Sequence, residues 1–350
     1  MSGGQHIVRI VAQRGIGFSI DRVVCRSPII TINFVDDAFV VAPKGNYRNI
    51  ALETGVAPLA NGSARISIGG GPHGIGGGIP GTEVVAAVKL EVEDVQTEEG
   101  VDGGRIVCAV SCSPSAYPNL TNNALDDLQS DLSSVLHQTL SHSSLHPPNL
   151  TILAGRKSWL LHLDVVVLTD SGSIYDALFL ASAAALRDTR VPRTRGIEYK
   201  AQSRRATEED IPMGDAGRSG FDTRALKKST DFELTDYWDE GEPLGKSESW
   251  PVCITLSLLP PIHYLDATPL EESATMSRLL LFFAFPNSAS GNSVLQGMRL
   301  LGPGETDLQI MKTLIPLGEK YARDLKRGLD AKLHSEALRR NPATRNKMAR

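Results

Sequence analysis

The sequence predicts an α+β chain built of two related halves, and three observations carry that reading. β-rich stretches come first and lead into a pair of helical ones. A second β-rich block follows, and the chain closes on one long amphipathic helix. Strands gathered ahead of helices, twice over, argue against a doubly wound sheet, in which the two would alternate. With 350 residues the chain can bury a substantial core in one large domain or two ordinary ones.

Residues 1–45 form an atypical N-terminal segment. Short β-branched runs, Ile29–Ile32 and Ala38–Val41, are candidate strands there, without clear hairpin turns beside them. The pattern sharpens from Asn46, and residues 46–192 form the first half. NYRNIALETGVAPLANGSARISIG reads as two strands around Asn61-Gly62, a dipeptide suited to tight hairpins. The glycine-rich stretch Gly69–Gly81 follows. It lacks the Gly-Lys-Ser/Thr ending and the succeeding helix of a phosphate-binding loop, and reads as surface loop.

TEVVAAVKLEVE and RIVCAVSC are further strands. Cys108 and Cys112 share one face of the second, as small core residues rather than metal ligands. Leu125, Leu128, Leu132, Val135, Leu136 and Leu140 are spaced three and four apart, which predicts an amphipathic helix over Asn122–Leu140. Its exposed side carries Asp126, Asp127 and Asp131, and Pro147-Pro148 forbids its continuation. SWLLHLDVVVLT is nearly continuous in apolar residues, so it predicts a strand buried on both faces, with His162 a core histidine. Asp170-Ser171-Gly172-Ser173 then turns into the helix IYDALFLASAAALRDT, stopped before Pro192.

Residues 193–249 change to clustered charge, as in Arg204-Arg205 and Glu208-Glu209-Asp210, and read as a charged surface insertion. The second half, 250–338, has strands in WPVCITLSLLPPIHYLDAT and RLLLFFAF and a terminal helix from about Thr306 to Leu338. The basic tail 339–350 suits either phosphate binding or complementing the helix dipole.

A net charge of −4 excludes a generic basic nucleic-acid coat, while leaving room for a local basic groove. Four scattered cysteines do not make a disulfide framework. With no run of eighteen apolar residues and no signal-peptide pattern, the expectation is an intracellular chain that does not cross a membrane. Neither a nucleophile elbow nor an HExxH pair is present. The acids Asp266, Glu271 and Glu272 in YLDATPLEES could hold a metal or relay a proton, and the spacing alone favours instead a turn followed by a helix N-terminus that prefers acids.

Taken together, NYRNIALETGVAPLANGSARISIG, GTEVVAAVKLEVE, WLLHLDVVVLTDSGSIYDALFLASAAALRDTRVP and LDATPLEES resemble the RNase PH family in order and spacing. The resemblance runs from about Asn46 to Leu333 apart from the insertion, and DSGSIYDA followed by AAALRDTRVP is its most specific element. It implies an RNase PH-like fold (ribosomal protein S5 domain 2-like) of two βαβ-type halves with a C-terminal helix, set in a six-membered ring around an RNA channel. Active members cleave RNA from the 3′ end with inorganic phosphate.

Here the family's acidic pair falls on Asp266 and Glu272, while a further acid falls near Arg278 and is reversed in charge. Active members hold phosphate with arginines before and within the first helix, yet Tyr117–Leu150 contains neither lysine nor arginine. The family's Asp-Gly-Arg turn before Tyr47-Arg48 is replaced by FVVAPKG.

The resemblance therefore implies a non-catalytic subunit of the exosome ring, supporting 3′–5′ RNA processing and ribosomal RNA maturation, with Asp266 and Glu272 vestigial and no cofactor. Its implied partners are other RNase PH-like subunits, cap subunits, an associated hydrolytic nuclease and single-stranded RNA. Its implied compartments are the nucleus, nucleolus included, and the cytoplasm. Arg65, Arg156 and Lys157 are the candidates for RNA contact. An active phosphorolytic exoribonuclease of the same fold is the alternative.

Overall fold

The structure, a computed structural model, describes residues 7–12, 18–24, 31–34, 37–40, 47–69, 81–95, 103–197, 231–235, 241–259, 262–287, 292–304 and 307–340. Near the N-terminus β1 (Ile7–Ala12) pairs antiparallel with β2 (Phe18–Val24), and β3 (Thr31–Phe34) with β4 (Asp37–Val40).

Alternating burial then builds the first large sheet. Its strands are β5 (Ile50–Thr54), β6 (Gly62–Ile68), β7 (Thr82–Asp94), β8 (Arg105–Cys112), the short β9 (Thr151–Leu153) and β10 (Lys157–Thr169). They lie in the order β5-β6-β7-β10-β8, with β9 paired to β10. Every pairing is antiparallel except β10 with β8. That parallel pair needs a crossover, and α1 (Asn122–Leu140) supplies it. Thr121 caps α1 at Ala124 N, while Leu132, Leu136 and Leu140 anchor it in the core.

The helix α2 (Ile174–Asp188) is buried at every position from Ile174 to Leu186. A helix apolar all round belongs in an interior, and α2 is the axle of this molecule. It packs on β6 and β7 of the first sheet and on β15 of the second.

That second sheet holds β15 (Val252–Leu259), β16 (Ile262–Tyr264), β17 (Ser277–Asn287) and β18 (Asn292–Leu301), ordered β16-β15-β17-β18 and antiparallel throughout. Before it, β11 (Arg190–Val191) pairs with β14 (Glu242–Pro243), and β12 (Thr194–Ile197) with β13 (Asp231–Leu234). Between β16 and β17 lies α3 (Pro269–Ala274), and α4 (Leu308–Arg340) ends the described chain. Phe282 of β17 meets Phe179 of α2 at 5.0 Å between ring centroids, whereas its neighbour Leu281 abuts Gly318 of α4. Alternate residues of one strand thus serve two helices on opposite faces.

Two expectations need correction. The turn between β5 and β6 is not the dipeptide Asn61-Gly62 but the loop Gly55–Asn61. Gly62 already lies in β6, and the Asn61 side chain accepts a hydrogen bond from Leu90 N at 3.0 Å. Gly55 N donates to Ser63 O at 2.8 Å and closes the loop.

The strand β10 is not buried on both faces. Leu161, Leu163, Val165 and Val167 are buried, but Asp164, Val166 and Leu168 are exposed. Among the described residues helices cover only one side of this sheet, so the apolar run is wider than its cover. His162 belongs to the open side, with Nε2 3.5 Å from a Glu91 carboxylate oxygen, and is not a core histidine. Cys108, Cys112 and Cys253 are buried and free, whereas Cys25 and most of the glycine-rich stretch lie outside the described residues. No helix among the described residues is long and apolar enough to cross a membrane.

Candidate functional site at the head of the central helix

The turn Asp170–Ser173 delivers the chain from β10 into α2, and charged residues from both halves converge on it. Thr82 Oγ1 donates to Gly172 O at 2.6 Å and accepts from Ser171 N at 2.9 Å. Asp170 accepts from Gly172 N at 2.8 Å and from the Tyr117 hydroxyl at 2.7 Å. Gly172 has φ +91° and Ser173 φ +56°, so the turn runs through left-handed backbone.

From the second half come three acids, each taken up within the protein. Asp266, itself at φ +51°, has a fully buried side chain. Arg48 grips it with Nε to Oδ2 at 2.8 Å and Nη2 to Oδ1 at 2.8 Å, and the Arg48 backbone N–H adds a bond of 2.6 Å. Arg48 also donates to Ser171 O at 3.1 Å. Glu271 turns back on its own helix, where it accepts from Thr268 N at 2.8 Å and closes a capping box. Glu272 accepts from Ser173 N at 2.9 Å and from Arg278 Nη1 at 2.6 Å. Burial pushes the Glu272 carboxyl upward, and the Arg278 guanidinium pulls it back.

A helix N-terminus is a natural seat for an anion. At α2 that seat is filled by Glu272, and Arg278 is neutralised by the same carboxylate. Asp131 of α1 is also engaged, by the Tyr175 hydroxyl at 2.8 Å and by Arg299 of β18 at 2.6 Å. Among the described residues no group of three His, Cys, Asp or Glu side chains is placed to hold a metal ion.

One turn into α2 sits Asp176, fully buried, accepting from the Tyr47 hydroxyl at 2.7 Å and the Thr255 hydroxyl at 2.6 Å. Burial raises its pKa to about 7, against the pull of the two hydroxyls. A carboxyl raised above its unfolded value favours the fold while protonated. Its contribution is complete below about pH 4, the unfolded pKa, and is lost as pH rises through about 7. Asp176→Asn is therefore expected to become progressively more stable relative to the unmodified chain between pH 5 and pH 8. Urea melts at four pH values measure this, and a difference constant with pH would sink the assignment.

The residues proposed to touch RNA do not converge. Arg65 lies in β6, is ion-paired with Glu83, and stands opposite Val85 of β7. Lys157 stands opposite Asp94 of the same strand, about 30 Å further along at strand rise. Its Nζ lies 5.7 Å from the Phe232 ring centroid. Arg156 occupies the preceding turn, with its backbone N–H on Leu153 O at 2.9 Å. Sequence reasoning missed Asp176, Thr255 and the Arg48 clamp. A lone acid inside IYDALFLASAAAL was the available signal, since a buried carboxyl demands partners.

Comparison with known proteins agrees with this architecture. Residues 46–192 match the 3′ exoribonuclease family, domain 1. The chain is 26% identical over 282 residues to the putative exosome complex exonuclease RRP42 of Dictyostelium discoideum, covering 67% of this chain and 75% of that one. It is 28% identical over 260 residues to the exosome complex component rrp42 of Schizosaccharomyces pombe, covering 73% of each. Against the exosome complex component Rrp42 of Methanothermobacter thermautotrophicus it is 27% identical, over 48% of this chain and 58% of the relative. A solved Archaeoglobus fulgidus exosome, with RNA bound to the active site, has a chain that superposes with a TM-score of 0.56 at 20% identity, covering 81% of this chain and 89% of that one.

Proposed function

We propose, on the premise that residues 46–192 belong to the 3′ exoribonuclease family, that this chain is an exosome ring subunit that has lost phosphorolysis and serves as scaffold and RNA-channel wall. The relatives named Rrp42 in a slime mould, a yeast and an archaeon support ring membership. On this reading residues 46–192 and 250–338 are the two halves of the fold, with 193–249 a surface insertion. The partners are sibling ring subunits, cap subunits, a hydrolytic nuclease and single-stranded RNA, in the nucleus and cytoplasm.

The observation that carries this reading is the absence of any lysine or arginine from Tyr117–Leu150, because the acids at Asp266 and Glu272 are ones that active members share. Phosphate used as a nucleophile needs fixed cationic forks and a free seat for its charge. Here the seat is taken by a carboxylate, Arg278 is spent on that carboxylate, and Arg48 is spent on Asp266. The segment Tyr117–Leu150 adds acids and no lysine or arginine. Asp266 and Glu272 hold the fold together instead of handling a metal or a proton. Arg65, Arg156 and Lys157 remain candidate RNA contacts, and their separation fits an extended strand rather than a single pocket.

Incubating the purified chain alone with end-labelled RNA, phosphate and Mg²⁺ is expected to release no nucleoside diphosphates. Phosphate-dependent release by the chain alone would establish the active alternative. Mass measurement of the co-expressed assembly tests ring membership separately.

A further inference from the structure

At the opposite end of α2 from Glu272 the described surface opens into a groove of about 960 Å³. Its walls are the loop from Thr54 to Ser63, the last turn of α2 with Arg190 of β11, and the final turns of α4. Arg187, Arg190 and Arg340 face only two carboxylates, Asp188 and Asp330. Arg187 is bonded to Asp330, and Arg340 Nη1 lies 2.5 Å from Asp188 Oδ1. Behind them Lys326 is buried, with Nζ 3.3 Å from Asp330 Oδ1 yet making no hydrogen bond. Two cations thus share one carboxylate.

Arg190 has no carboxylate partner among the described residues. Its backbone N–H donates to Asn61 O at 2.9 Å, and β14 pairs with its strand, so the main chain is held while the exposed side chain is free. Among the lining residues there is no Phe, Tyr or Trp, and His334 is the one aromatic ring. The sequence beyond Arg340, NPATRNKMAR, carries three further cations and no acid.

We propose that this groove binds the phosphates of single-stranded RNA. The Arg190 guanidinium fork matches phosphate oxygens, with Arg187 and Arg340 beside it sharing their charge with Asp330 and Asp188, and a lining with no Phe, Tyr or Trp favours grip on the backbone over the bases. Cations that follow Arg340 in the sequence suit a long polyanion better than a small one. The choice of RNA as that polyanion rests on the family reading above. The groove is distinct from Arg65, Arg156 and Lys157.

The test uses the full chain, a 5′-fluorescent uridine 20-mer and anisotropy across a salt series. Arg190→Glu is expected to weaken binding about tenfold near 0.1 M salt and to lower the slope of log K against log salt by about one. Lys312→Glu makes the same charge change on an exposed residue of α4, about 27 Å along the helix from Asp330, and is expected to change little. Equal losses in both variants would mean that only net charge matters, which overturns the proposal. So would failure of the unmodified chain to bind, or polyglutamate displacing the RNA at lower charge concentration than unlabelled RNA does. Assembly with ring subunits is scored on the same variants. Normal assembly with weakened RNA binding supports the groove. Failure of every variant to assemble, with Arg190→Glu still selectively weak, sinks the ring reading and leaves the groove standing.

Discussion

Replacing Gly172 with alanine is expected to prevent stable folding of the chain. The residue sits at φ +91°, where an L side chain is strained in any surroundings. A Cβ there would also overlap the Ala267 carbonyl oxygen and come within 3.0 Å of Thr268 Cα. Both obstacles are backbone, so no side chain can swing aside. Gly172 additionally joins the two halves at their tightest point, because Ala267 follows the acid that Arg48 holds. A loss above about 4 kcal/mol follows from strain and overlap acting together. Gly155→Ala is the matched control: φ is +67°, but nothing lies within 4 Å of the added carbon. That variant is expected to lose only about 1 kcal/mol. Soluble yield and circular dichroism melts compare them, and similar melting of the two variants would refute the argument.

The second large effect is expected at Arg48 and Asp266. Their forked pair is buried on the acid's side and only 18% exposed on the arginine's. Removing one partner strands the other charge, which costs about 3–5 kcal/mol. Arg48→Met and Asp266→Asn are the informative single changes, since asparagine tolerates the positive φ of Asp266. The double variant is expected to lose clearly less than the sum of the two. Additive losses in urea melts would show that the two residues act independently.

Much of the fold was legible because period and burial agree. The spacing over Asn122–Leu140 predicts α1 to the residue, and the Ala/Leu-rich run after DSGS predicts α2. The even spacing of Cys108 and Cys112 places both on the buried face of β8. The reading failed where a pattern speaks of composition but not of cover. SWLLHLDVVVLT is apolar enough for two buried faces, and among the described residues helices cover only one. Asn61-Gly62 has tight-turn chemistry, but the Asn61 side chain is committed to Leu90 of β7 instead.

The site was legible in part. LDATPLEES reveals its acids, and both functions that the spacing allowed were fair. The structure gives Glu271 to a helix cap, Glu272 to the head of α2 and Asp266 to Arg48. Those partners lie far off in sequence, Arg48 218 residues from Asp266 and Ser173 99 residues from Glu272, so no local window contains both members of either pair.

The all-round burial of α2 governs the order in which the protein can be made. The helix leaves the ribosome with the first sheet available to cover one side, but the strands that cover the other start only at Val252. Until then an apolar flank and the Asp176 carboxyl face water. The half-finished chain thus carries an uncovered apolar flank, and any slowing of synthesis between α2 and β15 would prolong the interval in which it can be captured by a chaperone or lost to aggregation.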